Sequence, residues 1–61
     1  MANRRFKRPG GFFDATEYVE VDDNGKVSIV DKRGHRSQVD IDLQFCLDAV
    51  RDGDWVEIEV A

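Results

Sequence analysis

Apolar and polar residues alternate over Ala15–Val21 (ATEYVEV), Lys26–Asp31 (KVSIVD) and His35–Ile41 (HRSQVDI). That is the period-two signature of strands with one buried face. Between the first two runs stands Asp22-Asp23-Asn24-Gly25. Asn-Gly flanked by strand-like runs predicts a hairpin through a type I′ turn, with positive φ at both central residues. Lys32-Arg33-Gly34 predicts a second turn. The expected buried set of this three-stranded meander is Val19, Val21, Val27, Ile29, Val39 and Ile41.

The period changes at Asp42–Asp52. Leu43, Cys46, Leu47 and Val50 stand at i, i+3, i+4 and i+7 and form one helical stripe. Asp42 is placed to cap the first turn, and Gly53 to close the last one in a left-handed conformation. Alternation returns over Asp54–Val60 (DWVEIEV), with Val56, Ile58 and Val60 on one face and Trp55, Glu57 and Glu59 on the other. The order predicted is β-β-β-α-β, an α+β fold in which one helix covers one face of a small antiparallel sheet. A helix lying flat across the sheet is preferred to one plugging a curled barrel.

Residues 1–11 show no periodicity and end in Pro9-Gly10-Gly11, which predicts a flexible arm, with a single domain over 12–61. Phe12 and Phe13 are expected to anchor the arm. Charge divides at the same place. Residues 1–10 carry Arg4, Arg5, Lys7 and Arg8 without an acid. The remainder carries five Lys/Arg against all thirteen Asp/Glu, a net charge of −8. A basic arm on an acidic body suggests an electrostatic tail, an acidic recognition surface, or both.

Sixty-one residues bury a small core and leave little room for a deep catalytic pocket. The lone Cys46 cannot form an internal disulfide, which suits a reducing compartment. No apolar run reaches the roughly 18 residues of a membrane span. The basic start is not followed by an apolar segment, so no secretion signal is expected. A cytoplasmic protein of a prokaryote or a virus, with no membrane partner, is the simplest expectation.

Functional surface is sought among side chains that the fold does not need. Turned away from the helix, Trp55 would share a face with Glu57 and Glu59; the alternative is that Trp55, at the start of its strand, caps the end of the core. Tyr18 and Glu20 would join them if the last strand paired with Ala15–Val21. Such an acidic, aromatic patch suits a protein partner, since Trp and Tyr bring rigid area and a polar handle. Glu17, Asp22 and Asp23 would add to its charge and favour a basic groove on a larger protein or protein–nucleic-acid complex. Phe45 falls opposite the helical stripe and offers a second spot, for a partner helix or a homodimer. The alternative partner is nucleic acid. Arg4, Arg5, Lys7 and Arg8 would neutralise phosphates and Phe6 would stack on a base, with Lys32, Arg33, His35 and Arg36 extending the footprint. A third reading makes the chain a structural subunit of a ribonucleoprotein or viral assembly.

Catalytic chemistry finds no constellation. One histidine and one cysteine cannot build a four-ligand zinc site. Cys46 lies on a core stripe, where a nucleophile would need exposure and a base. Glu20, Asp22, Asn24, Ser28 and Asp31 approach a calcium-loop spacing, but both flanks read as strands and the terminal ligand types are wrong. The expectation is a non-enzymatic interaction module without cofactor or metal. It would regulate or inhibit a larger nucleic-acid-processing machine.

Overall fold

The computed structural model describes residues 3–58. Its order is β1 (Arg4–Lys7), β2 (Thr16–Val21), β3 (Val27–Asp31), β4 (Arg36–Val39), α1 (Leu43–Arg51) and β5 (Val56–Ile58). The strands form one antiparallel-paired sheet in the order β4-β3-β2-β1-β5. The α+β class and the single helix agree with the sequence pattern, and a strand is added at the N-terminus.

That strand corrects the reading of residues 1–11 as an arm. Arg4–Lys7 lies inside the sheet, paired to β2 on one side and β5 on the other. The four residues alternate around Phe6, which is 0 % exposed. The cations beside Phe6 meet acids on neighbouring strands: Arg4 pairs with Glu57, Arg5 with Glu20 and Lys7 with Glu17. The division between basic start and acidic body is thus resolved as cross-strand pairing within one sheet.

Register assigns the faces. Phe6 stands opposite Val19 and Glu57, Val19 opposite Ile29, and Val21 opposite Val27, which faces Val39. These residues point to the helix side, because directly opposed residues share a face. The core there is Phe6, Val19, Val21, Val27 and Cys46. Ile29, Val39, Ile41, Leu43, Leu47, Val50, Phe12 and Trp55 pack against it. Both edge strands border α1 in sequence, so the chain must cross the whole sheet between them. Four inter-strand steps span roughly 19 Å. The nine-residue helix supplies about 13.5 Å of that, which favours its lying across the face.

Asp42 caps the helix as expected, its Oδ1 accepting from the Phe45 amide at 2.9 Å. At the other end the Gly53 amide donates to the Val50 carbonyl at 3.1 Å, with φ at +84°.

The β2–β3 turn departs from type I′, because no residue other than glycine has positive φ among those described. Asp22 and Lys26 close a three-residue loop. The Gly25 amide donates to the Asp22 carbonyl at 3.0 Å, and Asp22 Oδ1 accepts from the Asn24 and Lys26 amides. This is a type I turn followed by a left-handed glycine. The β3–β4 turn repeats it with Asp31, Gly34 and His35. The sequences DDNGK and DKRGH, nine residues apart, encode the same device. Gly34 sits at φ +87° with open space where a Cβ would be. Gly34→Ala is therefore expected to cost about 1–2 kcal/mol through backbone strain alone. Gly34→Asn should cost less, since Asn tolerates this conformation. Thermal melts of the two variants check the order.

Candidate functional site

Trp55 takes the second of its two expected places, against the core, and not the binding face. It lies just before β5, its amide donating to the Ala49 carbonyl at 3.2 Å. Its ring is packed among Phe6 at 6.5 Å, Phe12 at 5.9 Å and Phe45 at 5.8 Å between centroids. The phase of the last strand is reversed: Trp55 packs on the core and Glu57 lies beside Phe6, while Val56 and Ile58 point to the other face. A four-ring cluster buries more apolar area than the small aliphatic side chains could, and it decides the phase. The expected patch therefore falls apart. Trp55 and Glu57 are on the helix side, whereas Tyr18 and Glu20 are on the opposite face, and β1 separates β2 from β5. Glu59 lies outside the described residues. Glu57 is held by Arg4 through two bonds of 2.7 Å, which keep its carboxyl below the usual range.

The face without the helix carries Arg5 and Lys7 from β1, Tyr18 and Glu20 from β2, Ser28 and Val30 from β3, Arg36 and Gln38 from β4, and Val56 and Ile58 from β5. Arg5, Lys7 and Arg36, three of the cations expected to contact nucleic acid, meet here, although no flexible arm delivers them. Arg4 and Phe6 point to the helix side. Arg33 is exposed on the β3–β4 turn.

At the centre of the open face Glu20 is only 3 % exposed. Arg5 donates to its Oε2 at 2.8 Å, and Arg36 donates to its Oε1. Burial pushes the Glu20 carboxyl up, but hydrogen bonds from Arg36, Arg5 and Asn3 outweigh it and hold the carboxyl below its ordinary value. The Arg5 guanidinium also lies 4.6 Å from the Tyr18 ring centre. Glu20 and Tyr18 are thus engaged by cations and do not form an acidic surface.

One end of this face opens into a cleft of about 490 Å³ where the β1–β2 loop rises beside β5. Its wall includes Lys7, Arg8, Lys32 and Glu17, and its floor Val56, Ile58 and Phe12. Lys7 and Glu17 pair at 3.3 Å. The Arg8 guanidinium donates to the Gly11 carbonyl at 2.9 Å and lies 4.2 Å from the centre of the Phe13 ring. Phe12 anchors the loop as expected, but Phe13 does not, being 94 % exposed. Val56 and Ile58, which line the cleft, and Phe13, under the Arg8 guanidinium, are the residues that sequence reasoning missed.

The segment that carries the helix is acidic. Residues 40–54 hold five aspartates and one arginine. A shallower hollow of about 350 Å³ at the start of α1 is lined by Asp40, Ile41, Asp42 and Phe45, whose side chain is half exposed.

Burial raises the Cys46 thiol above its ordinary pKa, and nearby Asp42 adds to the effect. Among the described residues no group of three or more His, Cys, Asp or Glu is placed to hold a metal ion. Nor, among the described residues, is any helix long and apolar enough to cross a membrane. No protein-family model matches the chain, and no curated protein or solved structure matches it.

Proposed function

We propose that this protein is a non-enzymatic interaction module whose working surface is the open face of its sheet, around the cleft. The observation that carries this reading is convergence. Lys7 from β1, Arg8 from the following loop and Lys32 from the β3–β4 turn reach one apolar-floored cleft in a chain of net charge −4. Among the described residues lining the cleft, Glu17 alone offsets them. Such a cleft suits an anionic segment of a larger protein or protein–nucleic-acid complex, held by charge at the rim and by apolar contact at the floor. Regulation of nucleic-acid machinery is part of this proposal, and that charge complementarity supports it. The cytoplasm is the compartment we assign, on the buried, unpaired Cys46.

A second reading rests on Phe45, half exposed above the acidic hollow at the start of α1. A basic partner or a second copy of the chain would dock there.

Pull-downs from the native cell with three forms of the intact chain separate the two. Lys32→Glu together with Arg8→Glu is expected to abolish retention of the physiological partner, while Phe45→Ala leaves it unchanged. The reverse pattern would transfer the function to the helix. Retention by both variants would remove both surfaces.

A further inference from the structure

The geometry points to a single-stranded nucleic acid as the ligand of the cleft, with phosphates on Lys7, Arg8 and Lys32 and a base stacked on Phe13. This inference rests on the open face being the working surface, and names what that surface holds.

Phe13 carries the choice. A phenylalanine 94 % exposed on a loop has no role in the core; it stands outside the cleft lining, with the guanidinium of Arg8, which does line the cleft, 4.2 Å over one face of its ring. Rings and cations side by side match the alternation of bases and phosphates along an unpaired strand, where every base offers a π-face. Val56 and Ile58 give the floor an apolar surface for sugar and base edges, with Val56 46 % exposed. An acidic peptide would satisfy the cations but has no regular planar group for Phe13.

A duplex fits poorly. Reading its major groove needs a helix or a two-stranded ribbon that enters it. The helix of this protein lies in the segment with five aspartates against one arginine, so its field repels phosphate. That acidic segment disfavours a polyanion on the helix side and limits the contact to a few nucleotides. Affinity should accordingly be modest and strongly dependent on salt.

The test is fluorescence anisotropy of a labelled oligothymidylate and a labelled oligouridylate with the full chain at low salt. Both are expected to bind. Contacts from three cations to a single strand give a log–log salt slope of about −2, and Lys32→Glu should weaken binding and lower that slope by about 0.7. Phe13→Ala is expected to weaken binding about tenfold without changing the slope, because stacking carries no counterion release. Phe13 makes no core contact, so an unchanged thermal melt confirms that the variant is folded. A duplex of the same sequence should bind at least about tenfold more weakly, lacking exposed bases to stack.

Absence of binding at low salt would overturn the inference, as would equal affinity for duplex and single strand, or indifference to Phe13→Ala. A polyglutamate peptide separates this failure from failure of the underlying reading. If the peptide binds with sensitivity to Lys32→Glu while the oligonucleotides do not, the open face remains the working surface and only its ligand was wrongly assigned. If neither binds, and the partner survives charge reversal in the pull-down, both fall.

Discussion

Phe6→Ala is expected to leave the protein largely unfolded at room temperature. Phe6 is 0 % exposed, the largest of the fully buried side chains, and sits on the strand that joins β2 to β5. Truncating a buried Phe costs about 3–5 kcal/mol, through lost transfer energy and the cavity left behind. A 61-residue domain at the usual 0.05–0.15 kcal/mol per residue holds roughly 3–9 kcal/mol in total. The loss is therefore comparable to the whole stability. It is concentrated where the ring also touches Trp55, so the four-ring cluster centred on that indole loses one of its members. Urea titrations followed by circular dichroism should show Phe6→Leu with a lowered midpoint and Phe6→Ala with little folded baseline. Deleting residues 1–7 should do at least as much damage, because β5 would lose its only partner strand among the described residues. A deletion variant that melts like the intact chain would show that the segment is an appendage after all.

That experiment bears on what the sequence could reveal. The three strands of the meander and the helix were legible because each carries several apolar residues at its own period. Asp42 and Gly53 marked the helix ends by their capping chemistry. The segment Arg4-Arg5-Phe6-Lys7 has one apolar residue among three cations, and no window detects a period in a single point. Its strand character lies in the acids it meets, on β2 and β5, which are remote in sequence. The last strand failed differently. Alternation gives a period but no phase, and a slip of one residue exchanges the faces. Counting small aliphatics put Val56 and Ile58 inside, whereas the aromatic contacts of Trp55 with Phe6, Phe12 and Phe45 decide the outcome. The favoured site depended on that phase and was lost with it. Lys32 and Arg36 extend the basic footprint in the sequence, and the fold sets Arg36 on one face with Arg5 and Lys7 and Lys32 at the cleft with Lys7 and Arg8.

Glu20→Gln should move stability and ligand affinity in opposite directions, a signature that no purely structural or purely electrostatic role for this residue would give. In the folded protein the carboxylate is 3 % exposed and held by Arg5 and Arg36. Removing one member of a fully buried charge pair costs about 3–5 kcal/mol. Here the two arginine side chains are 36 % and 53 % exposed and can turn to water. A loss of about 2 kcal/mol at neutral pH is therefore expected, discounted for that screening. The pH dependence has a definite sign. The folded-state pKa of Glu20 lies below its ordinary 4.5, so its contribution is complete above 4.5 and is lost as pH falls through the lower folded value. The stability gap between wild type and Glu20→Gln should hold from neutral pH down to 4.5 and close below it. A gap that stays constant into strong acid would show that packing, not ionisation, makes the difference. Meanwhile the substitution releases two guanidinium groups on the face that bears the cleft. Affinity for the oligothymidylate should rise severalfold and its salt slope steepen by about 0.7 for each arginine that gains a phosphate. The buried carboxylate thus restrains the charge of the surface it stabilises, and weaker binding by a folded Glu20→Gln variant would contradict the assignment of anions to the open face.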